Sequence, residues 1–322
     1  MRFGIYSDMR NPPQWRRPWP DVYRRGIEVA VNAEAAGADV FWLSEHHFFE
    51  DGYLSQPLTF AAAVASRTSR IRLGTAVLLA PLRRALQIAE EAAVVDLVSD
   101  GRMELGLGAG YRLPEFEAFG ADMGRRFADT DERAVEIRRL YADGVVSPPP
   151  VQDPMPIWLG YASPAGARRA GRLGFGLLAM SPELAAAYLE GLDAGGHDRS
   201  SARMAGNLNF FLADDPEAAW ARIKDHLGYQ VSSYQRYAVE GTGAPVPEPV
   251  DPETIRTGEG AGQLTPRFHV LTVDQAEAHV RRAVGTLPVT DIFVWSSIAG
   301  LDDDLVDRHV ELVSRDLRQR FA

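Results

Sequence analysis

Short runs of β-branched and aromatic residues alternate with longer stretches of helical spacing, and the alternation recurs eight times along the chain. No other feature restricts the fold as much. The strand-like runs are Phe3–Ser7, Asp39–Ser44, Ile71–Leu78, Met103–Leu107, Ile157–Gly160, Phe175–Ala179, Met204–Leu212 and Asp291–Ser296. Helical spacing covers Asp21–Ala36, Pro57–Ser69, Arg84–Ser99, Asp131–Gly144, Pro164–Arg172, Pro182–Leu192, Asp215–Leu227 and Asp303–Phe321, with Gly37, Gly101 and Gly174 placed as left-handed stops. Eight βα units predict an α/β fold of the (β/α)8 TIM-barrel class, because two open sheets would leave edges and usually a linker. The expectation is one barrel domain over residues 1–322. Between Tyr237 and Phe268 the sequence is rich in Gly, Pro, Thr and Glu, which predicts a loop insertion at about 238–270 between strands seven and eight, followed by an extra helix at Val273–Gly285. Such a loop crosses the C-terminal mouth of a barrel, where it is either a lid or a plain surface excursion.

Composition narrows the function. The chain has 322 residues, enough for a full core, and 44 Asp+Glu against 34 Lys+Arg give a net charge of −10. An acidic chain lacks the broad positive surface that nucleic acid or an anionic membrane requires, so neither is expected as a partner. With no cysteine, a disulfide framework, a thiolate nucleophile and Cys-ligated zinc or iron–sulfur sites are excluded. Lys224 is the sole lysine, which leaves one candidate for Schiff-base chemistry. The apolar run after Met1-Arg2 is too short for a signal peptide and no window approaches a membrane span, so a soluble, cytoplasmic protein is expected.

In a barrel the residues just after each strand face the mouth. After strand two comes Ser44-Glu45-His46-His47-Phe48-Phe49-Glu50-Asp51. Adjacent residues on an extended chain point to opposite sides, and none of the seven histidines has another at zinc-motif spacing, so no metal is expected. One histidine there suits general acid–base work, and His47 reads as the one that only hydrogen-bonds a neighbouring loop. After strand four, Gly106-Leu107-Gly108-Ala109-Gly110-Tyr111-Arg112 lacks the spacing and the following helix of a dinucleotide-binding turn, a loop being expected through Pro114 to Gly124. Its alternating glycines permit either the close approach of a flat ligand or tight strand packing. After strand five, in Gly160-Tyr161-Ala162-Ser163-Pro164-Ala165, Ser163 is placed as N-cap and Pro164 as the first helical residue, which is either an ordinary cap or, through the unpaired N–H groups of a helix start, an anion site for a phosphate. Glu90 and Glu91 read as a solvated helix face. Phe48, Phe49, Tyr53, Tyr111 and Trp295 cluster near strand ends and together suit a planar ligand. Small residues on the helices around Thr59–Ser66 and Glu90–Val98 permit a dimer face or close packing within the barrel.

As a set these segments resemble the bacterial luciferase-like flavin-dependent monooxygenase family. The resemblance rests on Ser44-Glu45-His46-His47-Phe48, Gly74-Thr75-Ala76-Val77, Gly101 to Tyr111, Phe116-Glu117-Ala118-Phe119-Gly120 and Gly160 to Gly174, and extends from Phe3 to the last helix. It implies a barrel that uses reduced FMN, supplied by a separate flavin reductase, and O2 to oxidise a small organic substrate, usually as a homodimer or a two-subunit dimer. It assigns His46 to proton transfer and implies a cis Ala76-Val77 bond against which the flavin ring rests. It links Glu90 to that site, and gives the cofactor phosphate to Ser163 with Ala162 and Gly166. Gly108, Gly110, Tyr111, Arg112 and Gly160 complete the cofactor set, and His47, Phe48, Tyr53 and Trp295 the substrate pocket. Two departures stand out: Ala109 replaces the family's phosphate-reaching arginine, leaving that charge to Arg112 or another arginine, and Gly108 replaces luciferase's reactive thiol, so light emission is not implied. The alternatives are a deazaflavin (coenzyme F420)-dependent reductase or dehydrogenase, and a non-catalytic flavin-binding or partner subunit.

Overall fold

The computed structural model describes residues 1–259, 262 and 267–321. Its strands are β1 (Arg2–Ser7), β2 (Val40–Leu43), β3 (Arg72–Thr75), β4 (Leu78–Leu79), β5 (Met103–Gly108), β6 (Ile157–Gly160), β7 (Gly176–Leu177), β8 (Met204–Asn207), β9 (Phe210–Leu212), β10 (His269–Leu271) and β11 (Val289–Trp295). Its helices are α1 (Trp19–Ala36), α2 (Pro57–Ala65), α3 (Ala85–Ser99), α4 (Leu113–Phe119), α5 (Arg126–Ala142), α6 (Pro164–Arg172), α7 (Pro182–Ala194), α8 (Pro216–Val239), α9 (Pro252–Thr257), α10 (Val273–Val284) and α11 (Asp303–Glu311). Strands β1, β2, β3, β5, β6, β7, β8 and β11 pair in that order, all parallel, and β11 returns to β1. The eight-stranded barrel expected from the alternation is therefore closed. Among the described residues no helix is long and apolar enough to cross a membrane.

The barrel interior is filled by rings rather than left as a pore. Tyr6, Trp42, Trp158 and Phe293 form an inner cluster, with Trp42 and Trp158 edge to face at 6.3 Å. At one end of it Glu104 accepts hydrogen bonds from Trp158 Nε1 at 2.8 Å and from Arg2 and Arg72, both at 2.6 Å. Helices cover the outside through small and aliphatic residues such as Ala30, Ala33, Ile88, Ala89, Ala92 and Ala170. What remains accessible is the rim at the C-terminal ends of the strands.

Several elements differ from the expectation, each for a local reason. The third strand breaks after Thr75 at a cis Ala76-Val77 peptide, and β4 continues it along β5. The alternating glycines make room for this turn. A Cβ at Gly106 would lie 1.9 Å from the Thr75 carbonyl oxygen, one at Gly108 2.1 Å from Val77 Cγ2, and one at Gly160 2.5 Å from Val77 Cγ1. The seventh strand splits: β8 stays in the barrel, whereas β9 leaves it and pairs with β10 in a separate two-stranded sheet. Helix α4 occupies part of the expected loop after strand four, burying Phe116 and ending at Gly120 with φ 65°. Helix α8 runs past Leu227 to Val239 because Leu227, Val231 and Tyr237 keep an apolar face over the rim. The expected 238–270 loop therefore begins with the end of this helix and contains α9; residues 260, 261 and 263–266 of it lie outside the described residues.

Buried charges tie α8 to the rim. Arg10, just after β1, pairs with Asp51 at 2.7 Å, donates to Ser233 of α8, and lies within 5.7 Å of the rings of Phe49, Tyr53, Tyr229 and Tyr234. Burial pushes the neighbouring Asp8 carboxyl up to about 7, with Arg10 opposing the shift and Asp51 adding to it.

Two outcomes are expected. Gly160→Ala destabilises the fold by about 1–3 kcal/mol through overpacking, and Val77→Ala recovers part of that loss; additive effects in a denaturant double-mutant cycle would show that the two sites do not touch. Because Asp8 binds its proton more tightly folded than unfolded, its contribution to stability is complete below the ordinary carboxyl value of 3.8 and is lost as the pH rises through about 7. Asp8→Asn should therefore melt higher than the unsubstituted chain at pH 8 and about equally near pH 3.5, and parallel melting profiles across this range would contradict that assignment.

Candidate active site

The segment after β2 places two histidines back to back. His46 enters the rim cavity, its backbone N–H held by the Leu54 carbonyl at 3.1 Å. Its Nδ1 lies 3.0 Å from Glu115 Oε1, and that oxygen also accepts the His47 backbone N–H at 2.7 Å. With Nδ1 engaged as donor to a carboxylate, Nε2 is the ring nitrogen left for the cavity. Phe49 stacks on the imidazole at 4.9 Å, while Tyr53 and Tyr111 meet it edge-on. His47 turns the other way. Its Nε2 pairs with Glu45 Oε1 at 2.7 Å, and its ring packs on Phe119.

Glu45 holds the far wall in place. Its Oε1 also receives Arg83 at 2.5 Å, and its Oε2 accepts the Leu79 backbone N–H at 2.7 Å, just beyond the cis turn. That turn, Ala76-Val77, lines a cavity of about 390 Å3 together with His46, Gly108, Gly110, Gly160 and Ser163. Tyr53, Tyr111 and Ala162 line it as well. Elsewhere on the same wall the chemistry turns cationic. Ser163 caps α6, accepting the Gly166 N–H at 3.2 Å, and Arg126 and Phe127 complete the wall. Arg126 donates to the Met123 carbonyl at 3.0 Å, yet its Nε is buried without a partner among the described residues. An unpaired guanidinium N–H beside a helix N-terminus suits an anion.

Phenols dominate the rest of the wall. Tyr53 donates to Ser44 at 2.7 Å and lies 3.0 Å from the Tyr234 hydroxyl. Burial pushes Tyr6 up to about 12 and holds Tyr53, Tyr111 and Tyr234 well above the usual phenol range, so all four stay protonated near neutrality. Tyr111, Ala162 and Tyr234 also border an adjoining chamber of about 700 Å3, where Trp295 lies.

Not every expected site residue arrives. Arg112 is fully buried and donates to the His47 carbonyl and to Glu240, so it is a strut between the rim and the end of α8 rather than a free anion ligand. Glu90 lies exposed on the outer face of α3, because helical spacing turns it away from its buried neighbours Ala89 and Ala93. Phe48 is 60% exposed at φ 61°, and His47 packs behind the wall, so neither lines either cavity. Gly166 stands one layer back, where a Cβ would strike Tyr161 at 2.5 Å. Glu115, Arg126 and Tyr234 were not singled out. Glu115 lies on a helix where a loop was expected, Arg126 starts α5 ahead of its expected boundary, and Tyr234 belongs to the added length of α8. The i, i+3 spacing of Arg112 and Glu115 was the one available signal.

The luciferase-like monooxygenase family matches residues 1–271. The chain is 28% identical over 334 aligned positions to 4-hydroxyprotoasukamycin monooxygenase of Streptomyces nodosus subsp. asukaensis, covering 92% of this chain and 86% of that protein. It is 33% identical over 176 positions to the F420-dependent glucose-6-phosphate dehydrogenase of Amycolatopsis mediterranei, covering 48% of this chain and 53% of that one. The crystal structure of monooxygenase RslO1 from Streptomyces bottropensis superposes with a TM-score of 0.81 at 24% identity, covering 100% of both chains. The chain spans only 29–36% of the length of the curated relatives it matches first, alkanal monooxygenase alpha chains among them. With a family match over most of its length and the barrel closed as described, the chain belongs to the luciferase-like monooxygenase family.

Proposed function

We propose that the chain is the oxygenase of a two-component monooxygenase that takes reduced FMN from a separate reductase and oxidises a small organic substrate with O2. The observation that carries this reading is a single cavity joining the His46–Glu115 pair, the Ala76-Val77 turn and the unpaired Arg126 Nε beside Ser163. A flat ring with an anionic tail fits this division between an apolar wall and a cationic end. Ser163, the N-terminus of α6 and Arg126 would hold the phosphate, and Val77 with the glycines at 108 and 160 would border the ring. Reduced flavin, when bound, supplies the electrons that activate O2. His46 Nε2 is placed to give or take a proton at the cavity face, and Glu115 fixes its tautomer and orientation. With a ligand in place, the aromatic wall and α8 would shield that nitrogen from water. The F420-dependent relative supports a second reading, hydride transfer with a deazaflavin in the same cavity. The ordered histidine–carboxylate pair speaks against a non-catalytic subunit.

The homodimer belongs to the same proposal. On α3 the side chains of Leu86, Val94, Leu97 and Val98 are exposed along one face with Glu90 among them, which suits a second copy.

Titration of the purified chain with FMN and with a deazaflavin analogue separates the first two readings. FMN is expected to bind, Arg126→Met to weaken it about tenfold or more, and His46→Ala to leave binding intact while substrate oxidation falls by about two to four orders of magnitude. Exclusive binding of the deazaflavin would replace the monooxygenase reading, and unchanged turnover in His46→Ala would remove His46 from the chemistry. Light scattering should give a dimer mass that Val94→Glu converts to a monomer, and a monomeric unsubstituted chain would end the dimer assignment.

A further inference from the structure

The chamber beside the cofactor cavity has a wall of unusual uniformity. Asn207 and Asn209 at the end of β8 and Trp295 at the end of β11 form its floor, and Gln230, Val231 and Tyr234 of α8 its roof. Among the described residues no Asp, Glu, Lys, Arg or His lines it. Gly260, Ala261, Gln263, Leu264, Thr265 and Pro266, which lie outside the described residues, carry no charged side chain either. The Arg10 guanidinium sits against the rings of Tyr53 and Tyr234, pairs through Nε with Asp51 and does not line the chamber. An ionised group entering the chamber would lose its water and gain no counter-charge.

The polar groups that do line it are amides and phenols. Gln230 already accepts the Ala299 N–H at 2.9 Å, and Asn207 Nδ2 donates to Asn209 Oδ1 at 3.2 Å. Asn207 Oδ1 and the Tyr111 hydroxyl are both buried without a partner among the described residues. A buried acceptor in that state is unfavourable until a donor reaches it.

We infer that this chamber is the substrate room, and that it selects a neutral, mostly apolar, drug-sized molecule bearing a hydroxyl or similar hydrogen-bond donor, with Asn207 reading the donor. The inference rests on the monooxygenase reading for the word substrate, and on the chamber's own chemistry for the ligand class. A volume of about 700 Å3 is within the range of pockets for drug-sized ligands. Phosphorylated and carboxylated metabolites are excluded by the missing counter-charge, and molecules without a donor leave Asn207 Oδ1 unpaired.

The test is a calorimetric titration of the FMN-loaded chain at pH 7 with 2-naphthol, 2-methoxynaphthalene and 2-naphthoate, three probes that share one ring system. The naphthol is expected to bind about tenfold tighter than the methoxy compound, which keeps the oxygen but lacks the donor, and about a hundredfold tighter than the carboxylate. Asn207→Leu should erase the first ratio. Val231→Arg, which puts a cation on the roof, should raise naphthoate affinity about tenfold or more. Equal binding of naphthol and naphthoate by the unsubstituted chain, or naphthoate binding unchanged by Val231→Arg, would overturn the inference. FMN affinity measured alongside keeps the two proposals apart. Failure to bind FMN sinks the flavin reading, whereas the probe ratios, repeated without FMN, still decide the ligand class of the chamber.

Discussion

The buried carboxylate of Glu45 is the interaction on which the rim depends. One oxygen meets Arg83 and His47, and the other accepts the backbone N–H of Leu79. A lone carboxylate at this depth would be strongly unfavourable, so its three partners must all be in place at once. That requirement links the segment after β2 to the chain emerging from the Ala76-Val77 turn and to the start of α3. The position of His46 follows, because it is the residue between the two that Glu45 and His47 pin down. Glu115 completes the arrangement from the other side, joining the His46 ring and the His47 backbone through one oxygen.

The barrel was legible because closure leaves its mark on every unit: each strand needs a continuous apolar run and each helix a stop. Gly37 shows this directly, adopting φ 103° at the end of α1 as its position implies. His46 was singled out by the family resemblance, and the structure brings it to the cavity wall while His47 turns to Glu45, the opposite directions that neighbours on an extended chain take. Arg112 was misread because sequence adjacency to a glycine turn says nothing about which way a long side chain runs; here it is drawn to Glu240, 128 positions away. Glu115 and Arg126 were hidden by a boundary error, as both lie on helical turns that begin earlier or exist where a loop was expected. The alternating glycines had two readings open. The contacts at Gly106, Gly108 and Gly160 point to packing against Thr75 and Val77, and that packing in turn brings the turn to the cavity wall.

Charge and aromaticity are sorted by depth around the mouth. Arg10, Asp8 and Asp51 are packed against the aromatic layer of Phe49, Tyr53, Tyr229 and Tyr234, and the cation is neutralised there rather than presented to a ligand. Arg126 lies instead on the cavity wall, its Nε without a partner among the described residues. The same side-chain type thus serves as mortar in one place and as a ligand group in the other, and what distinguishes them is the Asp51 ion pair of Arg10 and the place of Arg126 on the cavity wall.

Proton chemistry is narrowed by the same burial. The four phenols around His46 are held protonated well above neutrality, so they can donate hydrogen bonds but cannot act as bases there. Glu45 and Glu115 are engaged with histidines and backbone N–H groups. His46 is then the group on this wall with a ring nitrogen left free to give or take a proton. A single proton carrier set among fixed donors favours chemistry in which one proton moves at one face of a bound ring, and the neighbouring uncharged chamber can shape a substrate without competing for that proton.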